Sequence, residues 1–231
     1  MRKTQRLAII VAASATLLAG CGGGDSGGTL AAVTSFPLQA GYQARIKAGS
    51  NDNFTISGTC AGTATISNGA ATASAFEGIS GFAATQTATL NFTNCTPATN
   101  AVSGTSYFDT GYTPIGSSIP GVLYEKFLTA PAAIPASVKV GDTAVVATST
   151  VYTDSTKSVA SGQRVLSYVV EADSVNTAIV NLISKGYNAA NQPLFTQQSR
   201  YRISADGSLT VITIDIQYST TSTTHLVYTK S

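Results

Sequence analysis

The sequence predicts a mainly β protein, in which a small disulfide-closed β module precedes an antiparallel meander of about six strands, forming a sandwich or half-barrel. Three observations support this prediction. Apolar and polar residues alternate with period two in many short segments, these segments are rich in threonine, and glycine- or asparagine-containing turns separate them. A length of 231 residues fits one large or two small β domains.

Residues 1–20 are typical of a cleaved targeting segment. A basic start, MRKTQR, precedes the 14-residue apolar run Leu7–Gly20, which is shorter than the roughly 20 residues that a membrane-spanning helix needs. Removing residues 1–20 takes away three cations and no carboxylate, so ten Lys and Arg face eleven Asp and Glu and the net charge becomes −1. A chain so sparsely charged is not expected to bind nucleic acid.

The segment Leu18-Ala19-Gly20-Cys21 resembles the lipobox of bacterial lipoprotein precursors. The resemblance covers only about 25 residues, but its pattern is specific because small residues must precede an obligatory cysteine. It implies that cleavage makes Cys21 the first mature residue, which carries a diacylglyceryl group on sulfur and acyl chains such as palmitate. Two or more chains hold a protein stably at a membrane. Because Gly22 replaces an inner-membrane retention aspartate, the resemblance implies the outer membrane of the cell envelope.

Residues 21–40 begin as a Gly/Ser-rich tether. Within it, the letters GDSGG match the segment around the nucleophilic serine of chymotrypsin-like proteases, with Ser26 at the position of that serine. Those enzymes place their histidine and aspartate before the serine, whereas here only the targeting segment precedes it. We therefore interpret GDSGG as part of the tether.

Residues 41–97 are predicted to form the small β module. In NFTISG, Phe54 and Ile56 share one face, and Asn68-Gly69 is a hairpin signal. Once Cys21 is assigned to lipid, Cys60 and Cys95 remain as an even pair in an exported chain, which predicts a disulfide between them.

Residues 98–136 are predicted to be a connection rich in proline and aromatic residues. The rings are interpreted either as filling between two sheets or as a surface that contacts a ligand or partner. The candidate contact residues are Tyr107, Phe108, Tyr112, Tyr124 and Phe127.

Residues 137–231 give the strongest strand signal and are predicted to form the meander. Asp206-Gly207 marks a hairpin turn, and the β-branched content of TAIVNLISKGY favours a strand over a helix. In the fifth segment, SLTVITIDIQY, Ile212, Ile214 and Ile216 share the predicted core face with Tyr218.

The mature sequence offers little for catalysis, and we predict neither catalytic residues nor a metal site or cofactor. His225 is the single histidine, and most carboxylates occupy turn positions. Glu171, Asp215 and His225 are weak candidates for a hydrolase.

The first hypothesis is therefore a membrane-anchored, non-catalytic envelope lipoprotein that binds an envelope protein or small ligand, or has a structural role. The alternative is a carrier of lipid or another hydrophobic ligand, for which the interior must hold an apolar cavity lined by both modules.

Overall fold

The computed structural model describes residues 33–128, 131–219 and 224–231. It confirms a mainly β fold. Among the described residues, one helix, α1 (Leu38–Ala48), precedes thirteen strands, which are β1 (Ser50–Gly58), β2 (Gly62–Asn68), β3 (Thr72–Phe76), β4 (Ile79–Phe92), β5 (Thr99–Asp109), β6 (Pro114–Ile119), β7 (Leu123–Phe127), β8 (Thr143–Tyr152), β9 (Ala160–Ala172), β10 (Thr177–Asn188), β11 (Pro193–Ser204), β12 (Leu209–Tyr218) and β13 (His225–Lys230).

The strands form a closed antiparallel barrel, so the predicted sandwich or half-barrel is wrong. Each strand from β4 to β13 pairs with the next, β13 pairs with β1, β1 with β2, and β2 with β4. This ring contains twelve of the described strands, and β3 pairs with β4 beside it. Closure removes the unpaired backbone groups that two sheet edges would expose, which explains why it is preferred to an open sheet.

The two predicted β modules belong to this one ring. Strands β8–β13 form the six-stranded antiparallel meander that the sequence predicts, and β13 joins it directly to β1. The segment 98–136 differs from its prediction as a connection, because β5, β6 and β7 lie within it. Its prolines fall at places that tolerate a missing N–H. Pro114 is the first residue of β6, and Pro120 follows the last.

A disulfide between Cys60 and Cys95 is present, as the sequence predicts. Cys60 lies in the turn between β1 and β2, and Cys95 lies in the turn between β4 and β5. The bridge therefore joins two neighbouring turns at one end of the barrel. Cys60 is buried against Phe54 and Ile56 of β1.

Helix α1 was not expected, since the sequence analysis assigned its residues to the tether and the first β module. The helix lies across the end of the barrel opposite the disulfide. Gln43 Nε2 donates to the Gly111 carbonyl at 3.0 Å, in the turn between β5 and β6. Across the same end, Gly41 packs against the turn between β11 and β12, where a Cβ on residue 41 would lie 1.8 Å from the Gly207 carbonyl oxygen. Glycine at position 41 allows this close approach.

Side chains alternate between the interior and the outer face of the ring. In β1 the buried residues Asp52, Phe54 and Ile56 alternate with exposed asparagine, threonine and serine. The interior contains two apolar clusters. One includes Phe36, Val138 and Ile203 and packs near α1, while the other surrounds Phe54 and the disulfide.

Candidate ligand cavity

A cavity of about 580 Å³ lies inside the barrel. Its lining comes from α1 and from strands in all three sequence segments, including Leu90 of β4, Phe108 of β5 and Leu182 of β10. Pockets that bind small molecules commonly measure about 300–1,000 Å³ and combine apolar walls with a few polar groups. The size therefore suits a lipid-like or other small hydrophobic ligand.

Most of the cavity wall is apolar, and it is interrupted by four tyrosines and by other polar side chains, among them Arg45, Asp52 and Arg164. Apolar lining residues include Phe54, Ile66, Leu166, Ile214 and Ile216, and the tyrosines are Tyr42, Tyr168, Tyr201 and Tyr228. Burial raises the pKa of the Tyr228 phenol to about 12, and burial likewise raises the pKa of Tyr42 and Tyr201. Burial also raises the pKa of Tyr168. All four phenols therefore stay neutral at physiological pH, so they add hydrogen-bonding groups to the wall without adding charge.

Helix α1 forms part of the cavity wall. Leu38, Tyr42 and Ile46 are spaced by four residues, so they lie on one face of the helix, and this face lines the cavity. Arg45 and Lys47 are in the last helical turn, where positive charge is favourable because the carbonyl dipoles point there. Arg45 also lines the cavity, so the helix closes this end with a mainly apolar face and one cation.

An ion cluster stands beside the helix at the same end. Asp52 is buried and receives hydrogen bonds from Arg45 Nη2 at 2.6 Å and from Lys230 Nζ. Burial acts to raise the pKa of Asp52, but the hydrogen bonds and charges of these two cations outweigh it and hold the pKa below its usual value. Arg45 also lies over the Tyr201 ring, 5.4 Å from its centroid. This cluster ties β1, β13 and α1 together.

A second ion pair faces the interior from β7 and β9. Glu125, of which only 2% is exposed, accepts hydrogen bonds from Arg164 Nη1 at 2.9 Å and from the hydroxyls of Ser117 and Ser149. Arg164 lines the cavity. The sequence analysis did not name either residue, although a signal was present. Arg164 is in phase with the apolar residues Leu166, Tyr168 and Val170 of β9, so period-two alternation directs it inward.

The three hydrolase candidates lie on the outer face of the barrel and do not line the cavity. His225 Nε2 is 3.0 Å from Asp215 Oδ1, on adjacent strands. Glu171 instead pairs with Arg200 and accepts from Asn181 Nδ2 at 2.8 Å. The structure thus brings two of the candidates together. Among the described residues, however, no serine or threonine hydroxyl and no cysteine thiol is hydrogen-bonded to the His225 ring.

The five candidate aromatic contact residues do not form one exposed surface. Phe108, Tyr112 and Phe127 are buried. On the outside of the ring, Phe76 of β3 stacks on Tyr107, with ring centroids 4.3 Å apart, and on Tyr124 at 5.3 Å. The rings therefore pack within the protein, because their segment forms strands rather than a loop.

The remaining sequence predictions concern the first 32 residues. Cys21 and the lipobox lie outside the described residues. Within the part of the chain that is described, no helix is long and apolar enough to cross a membrane, and no three His, Cys, Asp or Glu side chains group as a metal site would require. Comparison with known proteins gives no matching family model, no matching curated protein and no matching solved structure.

Proposed function

We propose that this protein is a membrane-anchored, non-catalytic carrier of a small hydrophobic ligand, which it holds inside the barrel. The observation that supports this proposal is the apolar cavity of about 580 Å³. A barrel that served only as a scaffold would be expected to fill its interior to the density of an ordinary core. The cavity favours carriage over a purely structural role.

The cavity volume limits the size of the ligand. A water molecule occupies about 30 Å³ in the liquid, and a methylene group is of similar size, so the cavity holds roughly twenty heavy atoms. A single acyl chain or a compact terpenoid fits this limit. Burying each methylene contributes about 0.8 kcal/mol, so such a chain would bind tightly even after ordering costs are subtracted.

The anchoring part of the proposal rests on the lipobox-like segment. An acylated Cys21 would hold the protein at an envelope membrane, the outer membrane by the resemblance, and the glycine-rich tether would give the barrel limited reach from it. We expect the Cys21→Ala variant to lose its acyl chains and to leave the membrane fraction, as measured by intact-protein mass spectrometry and fractionation. A variant that stays acylated or membrane-bound would contradict the anchor.

A blocked cavity tests the carrier proposal directly. Ala88 and Thr89 are neighbours in β4, with Ala88 lining the cavity and Thr89 exposed on the outer face. Ala88→Phe places a ring in the cavity, whereas Thr89→Phe adds the same ring outside and serves as the matched control. We expect wild type and Thr89→Phe to bind the apolar fluorophore N-phenyl-1-naphthylamine with a blue-shifted emission, and Ala88→Phe to bind it at least tenfold more weakly. Equal binding by both variants would refute the proposal.

A further inference from the structure

Arg164 has an unused hydrogen-bond donor in the wall of the cavity. Its Nη1 donates to Glu125, but its Nε is buried and has no hydrogen-bond partner among the described residues. A buried donor without a partner is destabilising, and native proteins rarely retain one unless water or a ligand satisfies it. The Nε atom itself has almost no accessible surface, but Arg164 lines the cavity and 25% of its side chain is exposed, so a bound ligand is in a position to accept a hydrogen bond from its guanidinium.

The guanidinium of Arg164 is held in place on two sides. Glu125 fixes one edge, and the Phe195 ring lies under the group with its centroid 5.7 Å from Cζ. Gly186, which is the β10 partner of both Arg164 and Phe195, provides room for that ring, because a Cβ there would lie 2.2 Å from Phe195 Cε1. A donor fixed in this way is suited to binding an acceptor without reorganisation.

The local charge decides what kind of acceptor fits. Glu125 already balances the charge of Arg164, and the Ser117 and Ser149 hydroxyls complete the hydrogen bonds of its carboxylate. At Arg164, a ligand carboxylate would place two anions against one cation among apolar residues, where an uncompensated charge is strongly unfavourable. A neutral carbonyl oxygen would accept a hydrogen bond from the guanidinium without this penalty.

Resting on the carrier function above, we propose that the ligand is a hydrophobic molecule with a neutral carbonyl head, such as an ester, amide or ketone, and that the Arg164 guanidinium donates a hydrogen bond to this carbonyl oxygen. The apolar part of the ligand then lies along the inward-facing residues beyond Arg164, beginning with Leu166. Free fatty acids, in their ionised form, are disfavoured relative to their esters.

The test compares three probes with the same hydrocarbon chain at pH 7. Methyl dodecanoate, dodecanoate and dodecane, each supplied from cyclodextrin, compete with N-phenyl-1-naphthylamine for the wild-type protein. We expect the ester to compete at least tenfold better than dodecane and better than the carboxylate. Dodecanoate binding as tightly as the ester, or an ester no better than dodecane, would overturn the proposal.

A double variant shows whether Arg164 is responsible. Arg164→Met alone leaves Glu125 buried without its cation and is at risk of unfolding, so Arg164→Met is combined with Glu125→Gln, which removes both charges. In this variant we expect dodecane to compete as in wild type and the ester preference to fall to less than threefold. An unchanged ester preference would refute the assignment to Arg164.

The wild-type results separate the two proposals. If wild type binds neither the fluorophore nor any probe, the carrier function itself fails. If it binds the fluorophore but shows no preference among the head groups, only the present inference is refuted.

Discussion

Glu77, in the tight turn between β3 and β4, connects this hairpin to the rest of the barrel, and its charge should contribute measurably to stability. Its carboxylate accepts hydrogen bonds from Lys157 Nζ at 2.7 Å, from the Tyr124 hydroxyl at 2.6 Å and from Lys126 Nζ at 2.9 Å. These hydrogen bonds, led by that of Lys157, lower the pKa of Glu77 from 4.5 to about 2. The substitution Glu77→Gln removes the charge and keeps the shape of the side chain.

The magnitude follows from this pKa shift. A shift of that size corresponds to about 3 kcal/mol if taken in full. However, the side chains of Lys126 and Lys157 are 42% and 34% exposed, so water and salt screen both ion pairs. We therefore expect Glu77→Gln to lower the free energy of unfolding by roughly 1–2 kcal/mol at pH 7.

The pH dependence has a definite sign. Because the folded-state pKa of Glu77 lies below its unfolded value, the stabilisation is fully present above pH 4.5 and is lost as the pH falls toward 2. Urea unfolding of wild type and Glu77→Gln between pH 7 and pH 3 should therefore show a stability difference that shrinks to less than about half at the acid end. A difference that is constant with pH, or absent at pH 7, would refute the reasoning. The double variant Glu77→Gln/Lys157→Met, compared with each single variant, isolates the share of the strongest partner.

Three further outcomes follow from other contacts. Replacing Cys60 and Cys95 by serine should lower the free energy of unfolding by about 4 kcal/mol, because the bridge closes a loop of 35 residues; a loss below ~1 kcal/mol in urea titration would contradict this. The Gly41→Ala substitution should displace α1 from Gly207, and faster proteolysis after Arg45 would report it, whereas unchanged cleavage and melting would show that the contact is unimportant. Asp52→Asn should destabilise the protein by about 2–4 kcal/mol, since it leaves two cations without their shared carboxylate, and an unchanged melting temperature would exclude that role.

Local patterns in the sequence predicted the strands well. The hairpin predicted at Asn68-Gly69 is wrong, because β2 and β3 each pair with β4 and not with each other. Asp206-Gly207, by contrast, marks a hairpin turn that the structure contains, and the meander from 137 onward has the predicted number of strands. These features depend on neighbouring residues, whose alternation and turn chemistry are visible in one sequence. One detail of β12 differs from the prediction. The pairing register shifts opposite Arg200 and Tyr201, and this irregularity interrupts the period-two alternation that would place Ile212 on the same face as Ile214.

Closure of the ring could not be predicted in the same way. It depends on pairing between β2 and β4 and between β1 and β13, and the register between distant strands leaves no mark on either segment alone. Helix α1 was missed although Leu38, Tyr42 and Ile46 have helical spacing, because Gly41 and the preceding glycine-rich segment favoured a tether. The cavity could not be predicted either, because it depends both on closure of the ring and on the position of the helix.

Closure through β13 also has a consequence for how the chain folds. Phe54 of β1 pairs with Lys230 of β13, so the two ends of the ring meet only after nearly all the intervening chain has been made. Pairings over such separations form slowly, since loop entropy must be lost before contacts compensate it. Until then β1 and β12 each present an unpaired edge. A chain that stops before β13 should therefore aggregate or be degraded. The full-length chain should need protection from both until β13 has paired with β1 and β12.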